Sequence, residues 1–345
     1  MSKGYSAACM RRSAVTITCL AALVAPSAAS AQEPAAGTAP VVSAAGAGTA
    51  PVGSAAGAGG KMSLSIANGQ RTRKRVYFTR GQTVLLRGRA RPFVAGQSAV
   101  VEFVRRGRIF ARKRVPIRGG GLVSYRFKVK RSGPMKLRAR HRATPQQGAF
   151  RSRFVRLSAG AYRAGAGVRG PRVVLLQRSL KRMGFAVPVT GYYDGGTARA
   201  VTAYRKTNGL GRDGYATPRV YRRVFRNRGA FKVRFPKAGR HVEFDWSRQV
   251  LALIDKGRPR RVYHASSGTP ATPTVFGRFS FYRKQPGTNS LGMVHSNYFI
   301  GGYAIHGYHS VPNYPASHGC IRVPIPNAAQ IDRQIDLGQT VFVYR

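Results

Sequence analysis

The chain has 345 residues, with 60 Lys and Arg against 9 Asp and Glu, a formal net charge of +51. That length suffices for two or three domains, each burying its own core. So positive a field excludes discrimination among polyanions by charge alone, and leaves nucleic acid, anionic lipid and acidic wall polymer as candidate partners.

In chain order, Lys3, Arg11 and Arg12 precede an apolar run from Ala14 to Ala25, and Ala29-Ser30-Ala31 supplies small residues before Gln32. This is the layout of a secretory signal over residues 1–31. The run of 12 residues is too short for a spanning helix, which needs ~20. An uncleaved anchor stays open as the alternative, and Thr16-Ile17-Thr18-Cys19 is a poor lipoprotein box. Cleavage would remove Cys9 and Cys19 and leave Cys320 with no disulfide to make, so its thiol is either reactive or idle. Export would also make the cell envelope, not nucleic acid, the polyanion that the chain meets.

Residues 32–60 are almost all Ala, Gly, Pro, Ser, Thr and Val, and the segment 37–47 returns as 48–58 with one change. Such a composition cannot bury a core, and the expectation is a flexible linker. Residues 61–158 alternate as strands do, most clearly at Val123-Ser124-Tyr125-Arg126-Phe127-Lys128-Val129. Further runs at Met62–Ala67, Thr83–Arg89, Ala99–Val104, Ile109–Val115, Met135–His141 and Phe150–Leu157 predict an antiparallel sandwich of immunoglobulin type. Its outward Arg and Lys are either a solvated surface or a wall-binding face.

The Gly- and Ala-rich stretch 159–170 reads as a boundary. Within 165–228, Val173, Leu176, Leu180 and Met183 recur at helical spacing and end at Gly184. A second helix is predicted from Asp194 to Asn208 with Ala198, Val201, Ala203 and Tyr204 inward, and Thr217-Pro218 is a cap and first-turn pair for a third. Residues 231–345 begin with strands at His241–Trp246, Gln249–Asp255 and Arg260–Ala265, with Asp255-Lys256-Gly257 as a hairpin turn. Strands at Gly277–Tyr282 and Ala304–His306, a helix capped by Asn327 and stopped by Gly338, and a closing strand at Thr340–Tyr344 complete the prediction. The fold class expected is therefore multidomain and mainly β, with a small three-helix unit between two β-rich domains.

The chemistry concentrates in residues 305–322, which hold Cys320 and three of the seven histidines. A free thiol has a pKa near ~8.5, so a working nucleophile needs a base or a positive field beside it. Cys320 has His306, His318 and Arg322 in reach, and glycines at 307 and 319 let backbone amides approach a substrate. A zinc site would need a ligand spacing that Cys320, His306 and His318 do not have, and no metal or cofactor is expected.

His306-Gly307, followed after residues 307–316 by Ser317-His318-Gly319-Cys320, resembles the signature of the L,D-transpeptidase catalytic domain of the YkuD type. The stretch Gly268-Thr269-Pro270-Ala271-Thr272-Pro273-Thr274-Val275-Phe276-Gly277-Arg278-Phe279 is similar to a second family segment. One departure is Cys320-Ile321-Arg322, where many members carry Asn in place of Arg. The helical unit is similar to the small peptidoglycan-binding domain through Leu176-Gln177-Arg178-Ser179-Leu180, Gly191-Tyr192-Tyr193-Asp194 and Asn208-Gly209-Leu210, and is either a wall-binding module or a spacer.

The resemblance implies a compact β-rich catalytic fold and acyl transfer through a thioester on Cys320. The product would be a 3→3 cross-link between peptidoglycan stems, and the amides of His318, Gly319 and Cys320 would hold the oxyanion. His306 is the expected base, its ring oriented by the Gly307 carbonyl, with His318 as the reversed assignment. Arg322 would hold a stem carboxylate, deepen the thiolate or serve the fold. Ser317, Tyr303, Tyr298 and His295 would line the substrate, while His309 has no role. An L,D-carboxypeptidase of the same fold and a non-catalytic wall-binding protein stay open as alternatives. The expected partners are stem peptides, glycan and anionic wall polymers, with no specific nucleic acid, no membrane span after cleavage, and a monomeric state.

Overall fold

The computed structural model describes residues 59–345; the expected signal segment 1–31 and all but the end of the expected linker 32–60 lie outside the described residues. Ten strands come first: β1 (Lys61–Ile66), β2 (Gln70–Arg71), β3 (Val76–Thr79), β4 (Thr83–Arg91), β5 (Ser98–Arg105), β6 (Arg108–Arg118), β7 (Leu122–Lys128), β8 (Gly133–His141), β9 (Phe150–Arg151) and β10 (Val155–Gly160). One layer runs β1-β4-β7 and the other β6-β5-β8-β10-β3-β2, joined where the end of β6 meets the start of β7. Sequential strands distributed this way between two layers make an immunoglobulin-like sandwich, with Phe78, Val84, Val101, Leu137 and Leu157 fully buried inside.

All seven predicted strands are present, with two differences. The run Phe150–Leu157 is broken because Ser152 sits between its halves, its hydroxyl accepting from the Ala139 amide and donating to the Arg153 carbonyl. Strand β3 escapes a search for alternation because Val76, Phe78 and Thr79 are buried and Tyr77 half-buried, so it has no solvated face.

Three helices follow, α1 (Pro171–Arg182), α2 (Gly195–Thr207) and α3 (Pro218–Val224). Thr217 caps α3 as predicted, accepting from the Val220 amide at 3.3 Å ahead of Pro218, and Asp194, the predicted start of the second helix, caps α2 by accepting from the Thr197 amide at 2.7 Å. The stretch 159–170, expected as a boundary, is packed. Ala159 and Gly160 belong to β10, Ala164 pairs with Ala216, and the Tyr162 ring tilts onto Tyr77 of the sandwich and onto Tyr221 and Phe225 of the helical unit. Its small residues permit close approach between the strands before it and the helices after it.

The remaining elements are β11 (His241–Asp245), β12 (Val250–Asp255), β13 (Arg258–His264), β14 (Gly277–Ser280), β15 (Arg283–Thr288), β16 (Val294–Ile300), β17 (Tyr303–Tyr308), β18 (Ile321–Pro324), α4 (Ile325–Asp332) and β19 (Thr340–Tyr344). They form a sheet β13-β12-β11-β19-β14 and a sheet β15-β16-β17-β18. Between them lies a core of Val242, Phe244, Leu251, Ile305, Ile321 and Val341, closed by Ala328 and Ile331 of α4. The outer face of the first sheet, through Val250, Ala252, Ile254 and Val262, shares a continuous core with α1–α3. That contact explains why α2 buries Lys206 as well as its apolar stripe, while Arg205 is buried through its own bonds to Gly211, Asp213 and Tyr215. Asn327 is not the cap of α4. The helix starts two residues earlier, where Pro326 fits the first turn, and the Asn327 side chain accepts from Arg199 Nε at 3.2 Å.

Glu243 on β11 is fully buried and holds the domain's entry to its closing strand. It accepts from the amides of Arg234 and Phe235, from His241 Nε2 at 3.1 Å and from the Tyr344 hydroxyl at 2.8 Å. Burial raises its pKa, but these bonds outweigh burial and hold it below the ordinary carboxylate value. A depressed carboxylate contributes stability that is present above the unfolded pKa of ~4.3 and is lost as pH falls through the folded value. We therefore expect Glu243→Ala to lower unfolding free energy by about 3–5 kcal/mol at neutral pH, and the difference from wild type to shrink on acidification, read by denaturant melts across pH. Among the described residues no helix is long and apolar enough to cross a membrane.

Candidate active site

Strands β17 and β18 run parallel, with Ile305 opposite Ile321 and His306 opposite Arg322. Alternation turns Ile305 and Gly307 toward α4, where a side chain at 307 would lie 2.7 Å from the Ala328 methyl, and turns Ala304, His306 and Tyr308 to the other face. Cys320 ends the turn just before β18, and its side chain packs into a cluster with Ala304, which lies on the His306 face of β17. The thiol is half-buried beside Met293, Tyr298 and Ala304, and Sγ lies 3.7 Å from the Gly302 carbonyl, to which it donates.

His306 is 3% exposed, and its Nδ1 is 3.0 Å from the Gly307 carbonyl. A carbonyl can only accept, so Nδ1 carries the proton and Nε2 keeps its lone pair. Burial pulls the imidazole pKa down to about 4; the Gly307 bond opposes this and the Arg322 charge reinforces it. The Cys320 thiol is pushed above its ordinary value by burial, against the pull of the Ala304 backbone and Arg322. At rest the thiol is therefore protonated and the imidazole neutral. Proximity to His and Arg in the sequence suggests a ready thiolate, but desolvation wins at this depth. Iodoacetamide alkylation of the Cys320 peptide, followed by mass spectrometry, should be slow at neutral pH and reach half its maximal rate above pH ~8.5, the midpoint of an unperturbed thiol.

The turn before Cys320 is built from its own small residues. Ser317 Oγ accepts from the Gly319 amide at 3.2 Å and donates to the Cys320 carbonyl at 2.6 Å. Gly319 has φ +110°, and a Cβ there would sit 2.0 Å from the Tyr303 ring, so only glycine fits. Its carbonyl accepts from Thr274 Oγ1 at 2.6 Å, and that hydroxyl accepts from the Gly268 amide at 2.9 Å. The Ser267 carbonyl takes the amides of Ala316 and Ser317, and Ser266 exchanges backbone bonds with Arg322. The second signature segment is therefore the floor of the Cys320 turn.

Not every expected substrate residue lines an open face. The Ser317 hydroxyl is consumed inside the turn, at 1% exposure. Tyr298 is 6% exposed, with its hydroxyl donating to Gln285 at 2.9 Å under the Arg283 guanidinium. His295 is not brought to Cys320. It has φ +49° at a β-bulge in β16 and lies 3.9 Å from Asp332 of α4. Arg322 stacks 4.1 Å over Tyr308 and donates to the Ala316 carbonyl at 3.0 Å, leaving Nε buried without a partner. His318 is exposed.

Four supports carry no mark in the sequence. Gln249, just before β12, binds the Ser267 amide and hydroxyl at 2.8 Å each. Lys206 of α2 is 1% exposed and donates to the Gln249 carbonyl at 3.3 Å, the Ala265 carbonyl at 2.8 Å and His264 Nδ1 at 2.9 Å. His264 in turn bonds the Val311 backbone, and Arg212 donates to the Asn313 carbonyl at 2.5 Å. Val311 and Asn313 lie in the loop between His306 and Cys320, so the helical unit grips that loop twice.

Residues 239–343 match the L,D-transpeptidase catalytic domain, YkuD, and residues 169–224 match a putative peptidoglycan binding domain. Comparison with curated proteins gives no match. Among solved structures, the chain is similar to an L,D-transpeptidase from Xylanimonas cellulosilytica at 32% identity over 52% of this chain and 97% of that one, with a TM-score of 0.49. It is also similar to an L,D-transpeptidase from Stackebrandtia nassauensis (19% identity, 53% and 95% covered, TM-score 0.34) and to one from Mycobacterium smegmatis (12%, 82% and 99%, 0.26). On the two family matches, the chain carries a YkuD-type catalytic domain of the L,D-transpeptidase family behind a peptidoglycan-binding domain.

Proposed function

We propose that the chain is an exported L,D-transpeptidase that makes 3→3 peptidoglycan cross-links through a thioester on Cys320. The observation that carries this reading is the Cys320 thiol packed with Ala304, on the β17 face that also bears a neutral His306 whose Nδ1–H is fixed by Gly307. In this reading Sγ turns from the Gly302 carbonyl toward His306 before it reacts. His306 takes the thiol proton as sulfur attacks the carbonyl at the L-centre of a tetrapeptide stem, then gives it to the departing D-alanine amine. A side-chain amine of a second stem attacks the thioester, its proton passes to His306, and the sulfur leaves and recovers that proton.

Both steps develop an oxyanion, for which a lost donor costs ~10²–10³ in rate. The Gly319 amide is held by Ser317, which leaves those of His318 and Cys320 to serve. Arg322 fixes the turn through Ala316 and has an unpartnered Nε for a stem carboxylate. Tyr303 braces Gly319 beside the sulfur. Intact-mass analysis of the protein with disaccharide-tetrapeptide tests the reading: it should show an acyl adduct lacking the terminal alanine, and then a dimeric product. Tripeptide without dimer would make it an L,D-carboxypeptidase, and neither adduct nor product would overturn it.

A further inference from the structure

The family matches begin at residue 169 and leave the sandwich without a role. Strand β6 stays with β5 along its whole length but meets β7 only at Ile117–Val123 and Arg118–Leu122. From there the two layers part, and a cleft of about 410 Å³ opens onto the aromatic end of the core. Phe103, Phe110, Tyr125 and Phe127 line it, with the Phe103 ring edge-on to the other three at 5.1–6.2 Å and Phe110 50% exposed. A concave aromatic surface of this size is the usual form of a ligand site, and a sandwich that needed only a core would close over it.

Around that lining stand six cations, Arg105, Arg112, Lys113, Lys128, Lys130 and Arg131, and no carboxylate lines the cleft. The nearest acid to Arg112 is Glu102, at 3.8 Å, and Glu102 is already bonded to Arg138 at 2.6 Å. Arg105 is the telling member. Its Nε and Nη2, the edge of a guanidinium that grips an oxyanion in a fork, are buried with no hydrogen-bond partner. Buried charged donors without an acceptor are unfavourable, and an arriving anion would satisfy them.

We infer that this cleft binds a strand of carboxylated polysaccharide, with sugar rings against Phe110 and Tyr125 and a carboxylate on Arg105. Charge alone would suit any polyanion, but aromatic faces select a ligand with flat, partly apolar units. Among such ligands a wall saccharide accords with the peptidoglycan-binding match. The assignment does not depend on the thiol chemistry, and its test does not use activity.

Binding of the full chain to a polygalacturonate oligomer, to a neutral chitin oligomer and to oligo-dT is measured by calorimetry at elevated salt, where non-specific attraction is screened. Arg105→Met and Phe110→Ala are each expected to weaken polygalacturonate binding about tenfold, which is the scale of one lost charged hydrogen bond or aromatic contact. Arg258→Met, an equal charge change at the exposed start of β13, should shift it less than about twofold. The inference fails if both cleft variants bind as wild type does, or if Arg258→Met weakens binding as much. It also fails if oligo-dT binds the wild type more tightly and loses more in the cleft variants, which would make the occupant single-stranded nucleic acid.

Discussion

Cys320→Ala will abolish both the acyl adduct and the cross-linked product while leaving the fold intact. Removing a nucleophile that acts as a unit with its base typically lowers kcat by several orders of magnitude, and ~10³-fold or more is expected here. The sulfur is half-buried in a small cluster with Met293, Tyr298 and Ala304, so its loss should cost no more than about 1 kcal/mol of stability. His306→Asn makes the sharper comparison. Its amide can keep the donor bond to Gly307 but provides no base, so the rate should fall ~10²–10⁴-fold. Because burial holds the thiol above its ordinary pKa, the residual rate of that variant should climb with pH as solvent deprotonates the sulfur. Wild type should instead be nearly flat from about pH 5 to 8, with an acid limb near the imidazole value of about 4. A wild-type acid limb near neutrality, or full activity in Cys320→Ala, would remove the thiol and His306 from the mechanism.

The proposed nucleophile and base stand out in the sequence because their chemistry demands particular residue types at a set spacing, and Ser-His-Gly-Cys behind a His-Gly meets that demand. The sandwich and the Thr217 cap were legible for a similar reason, since alternation and cap residues act over a few positions, whereas Asn327 misled because α4 starts before it. What the sequence hid depends on contacts between distant segments. Ser317 reads as a polar substrate contact, yet its hydroxyl closes the turn. His295 precedes the signature by few residues, but a bulge with positive φ turns it to α4. Lys206 would pass for a solvated residue on an amphipathic helix, because nothing local says that a second domain covers that face.

That last residue carries the second large effect. Lys206→Met should lower the thermal midpoint and reduce turnover together, although it lies outside the catalytic domain's matched range. The substitution keeps the length of the side chain but leaves the carbonyls of Gln249 and Ala265 and the His264 ring without their donor. Each orphaned buried acceptor costs about 1–3 kcal/mol, while removing a desolvated ammonium returns part of that, for a net loss of about 2–4 kcal/mol. The desolvation is real: burial, and then Arg212, draw the Lys206 pKa down to about 7. Gln249 also holds Ser267, whose carbonyl takes the amides of Ala316 and Ser317, and His264 holds Val311. Loss of the ammonium therefore loosens both ends of the loop that carries Cys320, and a misplaced nucleophile lowers kcat more than KM. Combining Lys206→Met with His264→Asn should destabilise by less than the sum of the two, since both act through one network. If Lys206→Met instead melts and turns over as wild type does, the helical unit is packed against the catalytic sheet without positioning anything in it.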